Sequence, residues 1–306
     1  MDPSEPAANT GVTVPGRGYG GFGAAAPAEP VYPTGETVVA PQQLPGRTDD
    51  SVTRPASRRD QFFRAPATYV LLAANIGVFL WMVFHGVSAQ APNEYSLLRY
   101  GANNAELVLA GQWWRILTAM FVHVGLVHLA TNMWCLWNLG LLGEPLLGFF
   151  GMISVYLLTG AAGNLLSVAT DVLARNYGIV GAGASGAVFG IAGILIVLLS
   201  NRRLAEPRNG RGGIPLPELH ALRRSVINFA GINLLIGLGS AFQNFLPIHI
   251  DNRAHVGGFL SGLLLGVPLL SAMTLGRRRY LNRQRLVFGA AALVLAMLGK
   301  FVSRLG

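Results

Sequence analysis

Seven apolar runs dominate this chain, at roughly Ala65–His85, Ile116–Leu142, Leu147–Val168, Ala184–Ser200, Ser225–Phe242, Ala254–Met273 and Leu286–Phe301. Each approaches or reaches the length that crosses a bilayer as a helix. Hydrocarbon offers the backbone no hydrogen-bond partners, so such runs must satisfy their own N–H and C=O groups as helices. The fold class that follows is an all-α polytopic membrane protein. The composition agrees, with 52% hydrophobic and only 12% charged residues. The stretch before Ala65 is polar and holds no apolar segment, so no Sec-type signal peptide is expected.

The net charge of +9 raises the question of nucleic acid, and the distribution of that charge answers it. Of the 23 Lys and Arg residues, 17 fall in the N-terminal tail and in the loops after the fourth and sixth runs, and six fall elsewhere. That asymmetry is a positive-inside signal, which places the N-terminus in the cytoplasm and, with seven spans, the C-terminus outside. The charge therefore sets topology, and no nucleic-acid partner is expected; the partner that the composition implies is the lipid bilayer. Residues 1–64, rich in Pro, Gly and Ala, read as a disordered cytoplasmic tail. Cys135 is the single cysteine, so there is no intrachain disulfide and no cysteine metal site, and no helix carries His-Glu-x-x-His.

Polar groups in hydrocarbon are costly and face a cavity or a partner, so the few present single themselves out. The fourth run opens with Gly181–Gly190, GAGASGAVFG, and puts Ser185 at a helix start with Gly183 and Gly186 beside it and Phe189 one turn below. Backbone N–H groups there lack intrahelical partners and favour negative charge, which suits a developing oxyanion. Gly186, Gly190 and Gly193 line one side of that helix. The sixth run carries His255, Gly258, Gly262 and Gly266 on one face. Two such faces can pack closely, which would bring His255 to Ser185. His128 and Asn132 share a face of the second run. A serine hydroxyl needs a base, and the residues alone leave both His128 and His255 open, with the glycine faces favouring His255. The outer loop Gly86–Arg115 is long, shows no evident helix or strand, and ends in Trp114 and Arg115, read equally as an interfacial anchor or a gate.

Taken together, Gly183-Ala184-Ser185-Gly186, Ala254-His255 with Gly258 and Gly262, His128-x-x-x-Asn132 and Trp114-Arg115 resemble the rhomboid family of intramembrane serine proteases. The resemblance covers Ala65–Met273 and is to the bacterial type with a C-terminal seventh helix. It implies a rhomboid-like six-helix bundle over residues 65–273, followed by a basic loop and an additional transmembrane helix over residues 274–306. It also implies a multi-pass protein of the cell membrane, an endopeptidase acting on transmembrane protein substrates. Ser185 is then the nucleophile and His255 the general base of a two-member dyad. His128, Asn132 and the Ser185 backbone N–H form the oxyanion hole, and the Trp114–Arg115 loop and the fifth helix take part in substrate entry. Where some members carry tyrosine beneath the histidine, Phe189 keeps the ring and loses the hydroxyl. The resemblance implies no cofactor, and the tail lacks the Cys and His ligands of members with an N-terminal zinc segment.

The main rival is an inactive rhomboid-like scaffold or chaperone, which would lack Ser185 or His255; this chain keeps both. A transporter or channel would carry charges in mid-membrane, whereas Asp171, Asp251 and Arg253 sit at helix edges. The same placement excludes an aspartyl intramembrane protease.

Overall fold

The computed structural model of the protein describes residues 65–206, 213–242 and 251–305. The expected tail lies outside them. Among the described residues every regular element is helical: α1 (Pro66–Phe84), α2 (Glu94–Arg99), α3 (Ala105–Leu109), α4 (Arg115–Thr118), α5 (Leu126–Leu173), α6 (Ser185–Leu198), a short 3-10 turn (Arg202–Ala205), α7 (Leu216–Phe242), α8 (Asn252–Leu270) and α9 (Arg277–Val302). One isolated antiparallel bridge joins Asn103 to Gly181. Among the described residues four helices, α1, α5, α8 and α9, are long and apolar enough to cross a membrane.

Helix α5 contains two of the predicted runs. Its 48 residues are interrupted at Gly148, whose φ of 73° and ψ of 172° are not helical. An L side chain rarely adopts that φ, and glycine does so without a Cβ penalty. Asn132 and Asn164 face one cavity. A straight helix would hold them ~48 Å apart, at 1.5 Å per residue. The chain therefore folds back between them. The first of these runs ends at Leu142 in the sequence; the structure carries its helix on to Gly148, with Glu144 inside it. Its buried carboxylate accepts from Ala67 N and Thr68 N at 2.8 Å each, and from the Thr68 hydroxyl at 2.8 Å. Those N–H groups open α1 and have no partner within it, so Glu144 caps α1 from across the bundle. Gly140 admits Thr68 to the same place.

Helix α6 is the centre of the bundle and is buried nearly throughout, from Gly186 to Leu195. It has 14 residues. The sequence reading made this a run of membrane-crossing length; at ~21 Å it is shorter than the ~30 Å hydrocarbon core. The predicted second helix, Ile116–Leu142, is also divided. It breaks after α4 and resumes at Leu126, with Gly125 at a φ of 119° between them.

The outer loop is ordered by two short helices, α2 and α3. Asn93 Oδ1 accepts from Ser96 N at 2.8 Å and Asn104 Oδ1 from Leu107 N at 3.1 Å, which caps α2 and α3. Arg115 is buried and not an interfacial anchor. It donates to the carbonyls of Leu98 at 2.6 Å and Ala102 at 2.9 Å, and to Gln112 at 2.8 Å. Helix α9 begins at Arg277, so the arginines expected in a loop lie on its first turns. It packs along α5, with Gln284 donating to the Leu147 carbonyl at 2.8 Å and Phe288 against Phe150.

Candidate active site

The short turn before α6 is tightly constrained. Gly183 has a φ of 129°, and a Cβ there would lie 2.7 Å from His128 Cε1. Only a glycine fits, on conformation and on space. Its N–H donates to the Ala119 carbonyl at 2.9 Å. Two residues earlier, Gly181 exchanges backbone hydrogen bonds with Asn103 at 2.7 and 2.9 Å, which ties the outer loop to this turn. The turn delivers Ser185 to the first position of α6, partly exposed to a cavity of about 270 Å³.

Helix α8 supplies the histidine. The two glycine faces meet as the spacing implies. A Cβ on Gly258 would fall on the Gly186 carbonyl, and one on Gly262 on the Gly190 carbonyl. Gly163 of α5 closes on Ala254 from the other side. The first turn of α8 is thus held between two backbones. His255 is 7% exposed and stacks on Phe189, ring centroids 4.5 Å apart and 19° from parallel. Its Nδ1 makes no hydrogen bond. The ring's plane is therefore set by stacking on α6, the helix that carries Ser185.

His128, Asn132, Ser185 and His255 all line the same cavity. Asn132 is buried, and its Nδ2 donates to the His128 carbonyl one turn back at 2.9 Å. Trp114 and Arg115 do not line the cavity. Trp114 is half exposed, with the Arg115 guanidinium 4.6 Å over its ring.

Three features escaped the sequence reading. His123 falls in the break between α4 and α5, not on a helix; it is fully buried, 5.4 Å ring to ring from His128, with Nε2 facing Ala184 N at 3.5 Å. A buried histidine beside another is a signal that spacing along one helix does not show. Asn233 brings a polar side chain from α7 to the cavity; an asparagine in an apolar run was the available sign. The Asn93 and Asn104 caps, each followed within two residues by glutamate, marked the loop helices.

Residues 110–272, more than half of the chain, match the family model described as the Rhomboid domain. The chain belongs to the rhomboid family. The protein named rhomboid protease GluP of Bacillus subtilis (strain 168) is 33% identical over 210 residues, 67% of this chain and 36% of that protein. Rhomboid protease AarA of Providencia stuartii is 28% identical over 213 residues, 66% of this chain and 72% of that one. RHOMBOID-like protein 5 of Arabidopsis thaliana is 33% identical over 180 residues, covering 58% of this chain and 51% of the relative. The chain thus spans about a third to a half of the length of the Bacillus and Arabidopsis relatives. This rhomboid is a multi-pass membrane protein, as its apolar helices require.

Proposed function

We propose that this rhomboid is an intramembrane serine endopeptidase that cuts transmembrane protein substrates in or near their membrane segment. The observation that carries the reading is the convergence of Ser185, His255, His128 and Asn132 on one cavity. Two relatives named as rhomboid proteases support it. In this mechanism His255 takes the proton of the Ser185 hydroxyl as the oxygen attacks the scissile carbonyl. The charge on the carbonyl oxygen is held by the Ser185 N–H at the start of α6, with His128 and Asn132 as further donors. His255 then gives its proton to the leaving amine, and water releases the acyl group from Ser185. The dyad has no acidic third member; Phe189 keeps the imidazole in place by stacking. Residues 65–273 form the protease core, with α9 appended to it.

The length of α6 supports chemistry below the membrane surface. A helix of ~21 Å with its inner end at one face of a ~30 Å hydrocarbon core begins ~9 Å beneath the other face. Substrates would be cut near the outer end of their span. The experiment that tests the function is cleavage of a single-span substrate by the purified protein, with loss of cleavage in Ser185→Ala.

Asn132→Ala is expected to lower turnover by roughly 10- to 1000-fold with the fold intact, the range for loss of an oxyanion donor. In the resting structure its amide is parked on the His128 carbonyl, so the bond it makes to the oxyanion appears in kcat more than in KM. Unchanged turnover in a well-folded variant would make Asn132 a packing residue.

The charge asymmetry supports a cell-membrane orientation with the N-terminus on the cytoplasmic side and the C-terminus outside. Cysteines introduced near the two ends are expected to label from opposite sides; labelling from one side removes either this orientation or the odd number of spans.

A further inference from the structure

The cavity holds one charged side chain that the proposed mechanism does not use, Asp251 at the N-cap of α8. One oxygen, Oδ1, accepts from Arg253 N and Ala254 N at 3.1 Å each. The other, Oδ2, accepts from the Ser167 hydroxyl of α5 at 2.5 Å. The Arg253 guanidinium pairs with Asp171, also on α5, and its Nε lies 3.5 Å from Asp251 Oδ1. Two ties therefore join the first turn of α8 to the last turns of α5. The imidazole of His255, one turn along, is not among the partners of Asp251.

What needs holding is clear from the packing. Gly186 approaches the Ala254 carbonyl from α6 and Gly163 approaches it from α5. Glycine contacts permit a close approach but have no side chains to stop sliding or rotation. Stacking on Phe189 orients the ring, yet a stack tolerates movement in its own plane. Directional bonds at Asp251 supply the missing restraint, since an N-cap fixes where the helix starts and the Ser167 bond fixes that start against α5.

We infer that Asp251 is a positioning residue: it locks the first turn of α8 to α5 through Ser167, and so sets the reach of His255 to Ser185. This rests on the proposed dyad for its catalytic consequence, but not for the lock itself. Asparagine caps helices as well as aspartate does. In Asp251→Asn the amide can take the place of Oδ2 and donate to the Ser167 oxygen. The lock therefore depends on the shape and bonding of the side chain, not on its charge.

The test uses the full-length protein in nanodiscs, with two readouts for Asp251→Ala, Asp251→Asn and Ser167→Val. Hydrogen exchange of the first-turn amides of α8 reads the lock without reference to activity. The rate of Ser185 labelling by a fluorophosphonate reads its consequence. In Asp251→Ala, exchange is expected to quicken about 10-fold or more, confined to that turn. Labelling is expected to slow by about 10- to 100-fold, the scale of a small misplacement of a reacting group. Asp251→Asn restores both towards the wild type, and Ser167→Val lies between. Wild-type values in Asp251→Ala overturn the inference. Equal loss in the Ala and Asn variants also overturns it, because charge and not capping would then be at work. If Asp251→Ala does not fold, Ser167→Val decides, and wild-type exchange and labelling in that variant overturn the tie to α5. A wild type that never labels would sink the protease reading, while the exchange arm would still decide the lock.

Discussion

Ser185→Ala and His255→Ala are each expected to abolish cleavage of a single-span membrane substrate, with the double variant little worse than either. Nucleophile and base act as a unit in the proposed mechanism, so removing one removes most of what the other contributes. Neither change should disturb the fold. Ser185 is not the N-cap of its helix, a position that Ala184 holds, and His255 contributes a stack but no hydrogen bond from its buried Nδ1. A fluorophosphonate is expected to label the wild type at Ser185 and the His255→Ala protein far more weakly, since the hydroxyl lacks its base. His128→Ala separates the two histidines that the residues alone leave open. As an oxyanion donor it would lower kcat and leave Ser185 reactive towards the probe. Cleavage by purified Ser185→Ala would show that the serine-protease reading is wrong.

Gly258→Val is expected to lower turnover by roughly 100-fold or more, although Gly258 touches no substrate. A Cβ at this position would lie 2.7 Å from the Gly186 carbonyl carbon and 3.1 Å from its Cα. Those are backbone atoms and cannot rotate aside, so α8 must move away from α6. Overpacking of this kind costs about 1–3 kcal/mol. The displacement acts where it matters most, because Gly258 is one turn from His255 and Gly186 is next to Ser185. Gly262→Val should behave alike, for its Cβ would lie 2.8 Å from the Gly190 carbonyl carbon. Gly289→Val on α9 is the control: nothing lies within 4 Å of a Cβ there, and activity should be retained. Full activity and thermal stability in Gly258→Val would mean that the two glycine faces are not the contact that brings Ser185 and His255 together.

Some of this architecture is written in local patterns. Apolar runs of bilayer length exclude a soluble fold, because the penalty for unpaired backbone groups in hydrocarbon acts on each segment separately. The glycines at 258, 262 and 266 declare a contact face through their spacing alone. The structure joins that face to α6, with Gly266 against Val197 as well as the two glycine pairs. A neighbour's backbone can come that close only where there is no Cβ, so the pattern and the contact have one cause. Ser185 at a helix start was equally legible, from the glycines that precede it.

Other parts depend on residues far apart in the chain. Glu144 caps α1 across more than seventy residues, and nothing near Ala67 or Thr68 announces its partner. Glu144 lies just past the apolar run that ends at Leu142, and only the assembled bundle offers its carboxylate two unpaired N–H groups. The outer loop is another such case: Arg115 satisfies carbonyls at Leu98 and Ala102, so a residue with the composition of a membrane anchor becomes the centre of a folded loop.

By itself, then, the sequence determined the membrane class, the family and the helix faces that meet, since each follows from periodicity within one segment or from a short motif. Only the tertiary structure decided the reversal at Gly148, the 14-residue length of α6, the seat of His123 against the Ser185 turn and the tie from Asp251 to Ser167. Those are the terms on which buried polar groups find partners, and in a bundle the partner is chosen by which helices lie side by side.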